Sequence, residues 1–409
     1  MVLKRTTLQN LFLFIVTLCV SINASNSNLL IQFSSIYFII FFFLCLKNKE
    51  VLEDIKENYI NNKLFFTIFF VYIGYLIFQI IPLPLNWFEI IAPANHALYS
   101  SIKIDKEFWS LSLDPSSSYF RILNCINFFI IFLIFPALFF RSKHLMKVLF
   151  FFCLLGFCHA VFATYWMLIG NPSNFLIEKN HYLHASTGLF VNRAVFASFL
   201  LLCAFSGLYY MVVFFQKNKI ISFGLFEQIN TKIIFVRIFI IFLTIGILTT
   251  WSRIVNFSYV LILISFLIYS KISFKKYINP LSTIILFILV IDVLVLGLVF
   301  GNAKLVERYA ETSIMGEAGR IGLHQFGFNQ FKEFWLFGYG SGAFELIFKL
   351  FYNIPSNGKI AAHVHNDGIE LIGEVGMIGI LILLFLSLIY FRKLLKEINQ
   401  ERERARFIL

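Results

Sequence analysis

Long apolar runs alternate with short polar segments along most of the chain. A helix that crosses the hydrocarbon core of a bilayer needs about 17–25 predominantly apolar residues. Ten runs of this kind predict ten spanning helices, at 8–24, 29–46, 64–82, 119–140, 148–169, 194–214, 233–250, 254–270, 280–300 and 376–391. The predicted fold class is therefore all-α, a polytopic transmembrane helical bundle.

The composition agrees with a membrane protein. Hydrophobic residues make up 59% of the 409 residues and charged residues only 14%. A soluble domain of this length needs more polar surface to cover its core. The six cysteines lie inside apolar runs. We therefore expect neither a disulfide nor a metal site from them and interpret them as small core residues.

The formal net charge of +12 would ordinarily suggest nucleic acid as a partner. If the N-terminus is placed in the cytoplasm, however, the predicted spans put 22 of the 34 Lys and Arg residues on the cytoplasmic side. The positive-inside rule for membrane proteins explains this distribution. We therefore expect contacts with membrane lipids, no nucleic-acid partner, and both termini in the cytoplasm.

The first residues allow two interpretations. Lys4 and Arg5 precede an apolar run, and residues 1–24 resemble a cleavable signal peptide. A first spanning helix is favoured because Ile22 is a poor residue for the small −3 position of a cleavage site. The topology downstream is the same in either case.

Three segments on the predicted outer side are long enough to fold, at 83–118, 170–193 and 301–375. The sequence shows no internal repeat and no separate soluble domain. We therefore expect a single integral membrane domain over 1–409, with a large external, periplasmic loop at 301–375 that is capped by amphipathic helices.

Within that loop, residues 319–335 have helical spacing. One face of this predicted helix is apolar and carries Ile321, Phe328, Phe331 and Trp335. Such a helix typically rests on the bilayer surface. The alternating glycines of Phe337-Gly-Tyr-Gly-Ser-Gly-Ala-Phe344 follow no predicted strand, so they indicate a turn that approaches another group closely and not a dinucleotide site.

The segment from Ala362 to Gly379 concentrates polar residues at the end of the loop. Asn366 or Asp367 can cap a helix, and Asp367 and Glu370 have capping-box spacing. His365 would then stand just before a helix N-terminus, where free N–H groups favour anions. The same helix is predicted to continue into the final span.

These residues resemble a motif of the O-antigen ligase and O-antigen or exopolysaccharide polymerase superfamily of bacterial membrane glycosyltransferases. The motif corresponds to His365-Asn366, Glu374 and Gly376-Met-Ile-Gly379. Three further segments resemble family patterns in the same order, namely Gly188-Leu-Phe-Val-Asn-Arg193, Thr250-Trp-Ser-Arg253, and Arg320 followed by the alternating glycines. The glycine that usually follows the family's Ser-Arg pair is Ile254 here. The resemblance covers roughly residues 185–391.

The resemblance implies a transferase at the outer face of the bacterial inner membrane. Such enzymes take a glycan from undecaprenyl diphosphate and pass it to a sugar hydroxyl. The acceptor is another lipid-linked glycan in polymerases and lipid A–core in ligases, so the implied role is the biosynthesis of surface polysaccharide or lipopolysaccharide. Neither a metal nor another cofactor is implied. The Gly188–Arg193 pattern slightly favours a polymerase.

Candidate roles follow from this chemistry. A diphosphate leaving group needs fixed positive charge, and arginine pairs phosphate oxygens with two donors. Arg253 and Arg320 are therefore the candidate catalytic cations, and Arg193, Asn366 and His363 are candidates for binding the diphosphate or the substrate. A hydroxyl acceptor needs a general base, for which His365 is the candidate and His363 the second choice.

Structural alternatives remain open at each position. An arginine at a membrane boundary also snorkels to the headgroups, and His365 also suits a helix cap. For the protein as a whole, the alternatives are a flippase or transporter of lipid-linked oligosaccharides and a non-catalytic protein of envelope assembly. A transporter would be expected to show internal repeats and broken helices with polar groups near the bilayer midplane.

Overall fold

A computed structural model of the protein describes residues 3–22, 28–101, 106–140, 142–172, 182–217, 231–273, 314–352 and 361–407. The predicted span at 280–300 and the first part of the predicted loop, 301–313, lie outside the described residues. Fourteen helices and one small antiparallel sheet form the described part of the chain. The sheet pairs β1 (Leu83–Pro84) with β2 (Phe108–Trp109), and Leu83 lies opposite Trp109.

The helices follow the apolar runs of the sequence. In chain order they are α1 (Arg5–Ile22), α2 (Asn28–Leu46), α3 (Lys49–Asn61), α4 (Lys63–Ile80), α5 (Leu85–Ile91), α6 (Pro93–Ser101), α7 (Pro115–Phe139), α8 (Ser142–Leu168), α9 (Arg193–Lys217), α10 (Thr231–Thr249), α11 (Arg253–Ser273), α12 (Ile314–Glu333), α13 (Phe344–Phe351) and α14 (Asp367–Phe407).

Six of these helices, α4, α7, α8, α9, α10 and α14, are long and apolar enough to cross a membrane. The bent pair of α2 and α3 can form a seventh span, while the apolar parts of α1 and α11 are shorter. The predicted all-α polytopic class is thus confirmed. The count of six or seven is lower than the predicted ten because the apolar parts of α1 and α11 are shorter than those of the other spans and 280–300 is outside the described residues.

The chain divides into two compact units. The first contains Leu3–Leu30 and Leu138–Thr312, and the second contains Ile31–Ala137 and Ser313–Leu409. In the first unit, α8, α9 and α10 approach closely at small residues. A Cβ added at Gly156 would meet Cys203 of α9, and one at Gly246 would meet Ala160 of α8. Small residues at helix crossings are typical of packing within a membrane.

In the second unit, α14 packs against α4 and α12. Of the predicted apolar face of α12, Ile321, Phe328 and Trp335 are 54%, 47% and 53% exposed, whereas Phe331 is half-buried. The helix ends at Glu333, so Trp335 extends this apolar stripe from the turn that follows. An exposed apolar stripe of this kind suits a helix that lies on a lipid surface.

The interpretation of all six cysteines as core residues is wrong in part. Cys45, Cys153 and Cys203 are buried, Cys19 and Cys125 are half-buried, and Cys158 is exposed. In a spanning helix the lipid-facing side is also apolar, so an apolar thiol is not restricted to the protein interior.

Candidate functional site

Helix α14 is broken at Gly376, whose φ of 62° and ψ of −173° are not helical. A break leaves carbonyl and N–H groups without their helical partners. The segment after α12 supplies them: the N–H of Tyr339 donates to the Gly373 carbonyl at 3.0 Å, and the N–H of Gly340 donates to the Glu374 carbonyl at 3.1 Å. In return, the N–H of Met377 donates to the Trp335 carbonyl at 2.8 Å.

Two side chains of α4 complete this arrangement. The Tyr75 hydroxyl donates to the Val375 carbonyl at 2.6 Å. One turn further along the helix, the Gln79 amide donates to the Phe337 carbonyl at 2.7 Å and lies 3.1 Å from the Glu374 carbonyl. Helix α4 therefore holds the carbonyl groups just before the break and the facing Phe337 carbonyl, which fixes the helix turn that carries Glu374.

The alternating glycines form a turn that lies against the break in α14. Gly338, Gly340 and Gly342 have φ values of 74°, 108° and 80°, a region that residues with a side chain rarely adopt. A Cβ at Gly338 would overlap the Glu374 carbonyl, and one at Gly340 would overlap the Ser112 hydroxyl. The predicted close approach of this turn to another group is confirmed.

Replacing Gly376 with Ala should destabilise the protein strongly. A Cβ there would overlap the backbone of Leu336, Phe337 and Gly338, and strained backbone and overpacking each cost roughly 1–3 kcal/mol. We expect a clear fall in the thermal unfolding temperature of the purified protein. Gly322→Ala is the matched control, because among the described residues nothing beyond the local helix backbone lies within 4 Å of its added Cβ. Equal stability of the two variants would contradict the observed break.

Asn366 caps the N-terminus of α14. Its side-chain oxygen accepts hydrogen bonds from the N–H groups of Gly368 and Ile369 at 3.1 and 3.2 Å. His365 directly precedes this cap, is exposed, and has a φ of 60°. The predicted position of His365 before a helix N-terminus is confirmed, while the cap itself is made by Asn366.

His363 pairs with the first turn of α14. Its Nδ1 lies 2.8 Å from Oε1 of Glu370, whose Oε2 accepts from the N–H of Val364 at 2.9 Å. Glu370 therefore satisfies the backbone two residues before the cap, and not the cap residue that the capping-box spacing implies. The hydrogen bond to Glu370 raises the pKa of His363 above its usual value, although partial burial opposes this shift.

The pairing of His363 predicts a pH dependence of stability. Because the folded-state pKa is raised, the protonated pair should stabilise the protein below the unfolded pKa of about 6.5. This contribution should be lost as the pH rises through the folded-state pKa. It should amount to about 1 kcal/mol or less, because the His363 side chain is 58% exposed. As the pH rises through this range, the unfolding temperature of the wild type should decrease, and that of Glu370→Gln should change less. Parallel curves of unfolding temperature against pH for the two proteins would contradict the pairing.

Two further charged groups lie near this pair, of which Glu374 belongs to the motif of the family resemblance. Arg121 in α7 and Glu374 in α14 both contribute to the electrostatic environment of His363. Arg121 is exposed, whereas Glu374 is buried. An arginine close to the start of a span is ordinarily explained by snorkelling, so no local signal identifies Arg121.

Within the first unit, Arg193 and Arg253 are the first residues of α9 and α11. The loop before α9 is hydrogen-bonded to the end of α10, because the N–H of Ser186 donates to the Thr249 carbonyl at 2.9 Å. A tight turn, with a φ of 52° at Trp251, then leads directly into α11. The two arginines therefore lie at the same end of this helix group.

Each of the two arginines has a distinct local environment. The Arg193 guanidinium lies 4.9 Å from the centre of the Tyr182 ring in a cation–π contact. Before Arg253, the N–H of Ser252 donates to the Thr250 hydroxyl at 3.2 Å, which shapes the turn. The third predicted cation, Arg320, lies in α12 of the second unit, and its side chain is outside the described residues.

The predicted site residues thus fall into two groups. The first unit brings Arg193 and Arg253 to one end of its helices, and the second unit brings His363, His365 and Asn366 together before α14. Each group combines backbone N–H groups of a helix N-terminus with a side chain that can carry positive charge. Such an arrangement can bind phosphate groups.

A family model described as O-antigen ligase matches residues 238–384 of the chain. The matched range contains Arg253, Arg320 and the His363–Asn366 segment, whereas Arg121 and Arg193 precede it. The predicted resemblance to the ligase and polymerase superfamily is thereby confirmed. No curated protein and no solved structure matches the chain significantly.

Proposed function

We propose, from this similarity to O-antigen ligases, that the protein transfers a glycan from undecaprenyl diphosphate to a sugar hydroxyl. The match supports glycosyl transfer of the ligase or polymerase type in polysaccharide assembly, and the apolar helices support a multi-pass membrane protein. The observation that carries the proposal is the His365-Asn366 pair, which directly precedes the N-terminus of a helix that enters a candidate span.

His365 is the proposed general base. Its side chain is exposed, and the backbone at this position is held in a left-handed conformation just before the Asn366 cap. An acceptor hydroxyl attacks the anomeric carbon more readily when its proton passes to a nearby base in the transition state. An imidazole has a suitable pKa for this role near neutral pH.

The arginines are the proposed ligands of the diphosphate. Negative charge builds on the diphosphate as the glycosidic bond breaks, and fixed positive charge stabilises it. Arg193 and Arg253 each begin a helix, and the first turn of a helix can itself bind a phosphate through its N–H groups. Arg320, in the matched range, is proposed for the same role, with Asn366 and His363 as further substrate-binding groups.

The proposed chemistry involves neither a metal nor a nucleotide. The donor is already activated by its diphosphate, so bond cleavage requires charge stabilisation and proton transfer only. Arginine side chains and helix N-termini supply that positive charge. The protein's own residues are therefore assigned every step of the transfer.

The location is proposed as the bacterial inner membrane, with both termini in the cytoplasm. The excess of Lys and Arg in the segments on that side supports this orientation. Ile398→Cys, in a variant without the six native cysteines, should react with an impermeant thiol reagent only after the cells are permeabilised. Labelling of this cysteine in intact cells would indicate the opposite orientation of the protein in the membrane.

Deleting the gene and sizing the surface glycan tests the function in the cell. Loss of long chains, with single repeats still attached to the lipid core, indicates a polymerase. Loss of every attached repeat, with lipid-linked glycan accumulating on the outer face, indicates a ligase. An unchanged size distribution would contradict a transferase, and lipid-linked repeats retained on the cytoplasmic face would indicate a flippase.

A further inference from the structure

Two polar atoms buried beside the glycine turn lack a partner among the described residues. Glu374 is only 5% exposed, and its Oε1 accepts no hydrogen bond. The hydroxyl of Tyr339, a fully buried residue of the turn, is likewise unpaired. Leaving a buried polar group without a partner costs about 1–3 kcal/mol, and more for a charged group. The Oε1 atom of Glu374 can therefore accept a further hydrogen bond.

Arg121 lies beside the same turn. Its Cγ and Nε are 3.2 and 3.3 Å from the position that a Cβ on Gly342 would occupy, so the absence of a side chain there gives the arginine its place. The N–H of Gly342 faces the Glu374 carboxylate. Within the described part of the chain, Arg121 forms no hydrogen bond or ion pair.

Hydrogen bonds fix the glycine turn that lies beside Arg121 and Glu374. The Ser118 hydroxyl donates to the Ser341 carbonyl at 2.7 Å and lies 2.7 Å from the Ser112 hydroxyl. The N–H of Leu113 donates to the Tyr339 carbonyl at 2.9 Å. The start of α7, which carries Arg121, is thus fixed to the turn that faces Glu374. A preorganised donor and acceptor lose little freedom when a ligand binds.

We propose that Arg121 and Glu374, which both lie beside Gly342, form a binding subsite for the hydroxyl groups of a glycan. Glu374 accepts a hydrogen bond from one sugar hydroxyl, and the Arg121 guanidinium donates to another sugar oxygen. This inference rests on the proposed function, because it assigns part of the glycan recognition of the transferase to these two residues.

The hydrogen-bonding groups at this place favour a sugar over a phosphate. Glu370 and Glu374 both lie within electrostatic range of His363, as Arg121 does. Glu370 already pairs with His363, so the Arg121 guanidinium and the unpaired Oε1 of Glu374 remain as donor and acceptor. A sugar hydroxyl can donate and accept, whereas an ionised phosphate can only accept and offers nothing to Oε1 of Glu374. The subsite therefore differs in chemistry from the helix N-termini at Arg193 and Arg253.

The test measures binding to the full-length protein in lipid nanodiscs. The probes are the oligosaccharide repeat of the host cell's surface glycan, freed from its lipid and phosphate, and inorganic pyrophosphate. Glu374→Gln preserves the shape of the side chain but leaves one acceptor oxygen instead of two. The single amide oxygen can accept from the Gly342 N–H or from the sugar, but not from both. Arg121→Met keeps the stem and removes the donors. Glu345→Gln and Lys332→Met are matched exposed controls in the same unit.

We expect Glu374→Gln and Arg121→Met each to weaken oligosaccharide binding by about 10–100-fold, the range for hydrogen bonds to charged groups. Pyrophosphate binding and both control variants should stay close to the wild type. If Glu374→Gln does not fold, Arg121→Met decides the question, because Arg121 is exposed.

Three results would overturn the subsite: no oligosaccharide binding by the wild type, unchanged binding in Arg121→Met, or loss of pyrophosphate binding alone in that variant. The proposed function is checked separately, by transfer from the lipid diphosphate donor in the wild type. Transfer with unchanged oligosaccharide binding in the variants refutes only the subsite. Absence of transfer refutes the proposed function.

Discussion

Replacing His365 with Asn is expected to lower the rate of glycan transfer by about 10²–10⁴-fold, the usual contribution of a general base. Binding of the lipid diphosphate donor should stay close to the wild-type value. Asn is the appropriate replacement, because it tolerates the left-handed backbone found at this position, with a φ of 60°. The helix cap should also survive, since it is made by the Asn366 side chain.

The measurement compares transfer rate, donor affinity and the amount of folded protein in the membrane for each variant. His96→Asn serves as a control, because His96 lies in α6 and has no role in the proposed chemistry. Near-normal transfer by His365→Asn would end the general-base proposal. Loss of transfer with normal folding and normal donor binding is the predicted outcome.

Arg253→Ala is expected to lower transfer by about 10²–10³-fold, the effect of removing one donor to a developing negative charge. In contrast to the His365 variant, it should also weaken binding of the lipid diphosphate donor. Arg253→Lys should restore only part of the loss, because lysine keeps the charge but lacks the planar, two-donor geometry of a guanidinium.

The matched control is Lys232→Ala, because Lys232 lies near the start of α10 and Arg253 follows its end. A general loss of positive charge in the first unit would affect both variants, whereas a diphosphate contact affects only one. If Arg253→Ala binds the donor as the wild type does, the arginine serves as a membrane anchor and not as a ligand of the diphosphate.

The helices were largely predictable from the sequence. Apolar runs of spanning length correspond to a physical requirement of the bilayer, so α4, α7, α8, α9 and α10 follow the predicted segments closely. The start of α14 was also predictable, because Asn366 is a residue type that caps helices. Both features depend on short stretches of sequence.

The interior of the candidate site was not predictable in the same way. The break at Gly376 is stabilised by Tyr75 and Gln79, which are about 300 residues away in the sequence. No local pattern indicates which distant segment will supply hydrogen bonds to a broken helix. Glu374 is predictable as part of a local family motif. Its unpaired oxygen and its proximity to Arg121 are not, because both depend on segments that are distant in the sequence.

Transfer of glycan by the purified protein is the most direct test of the proposed function. Full-length protein would be reconstituted into vesicles with an undecaprenyl diphosphate-linked glycan, a sugar acceptor and a chelator of divalent ions, without any nucleotide. We expect a longer lipid-linked glycan or a glycan on lipid A–core in the wild type, and loss of that product in His365→Asn. No product in the wild type, or a strict requirement for a divalent ion, would contradict the proposed function.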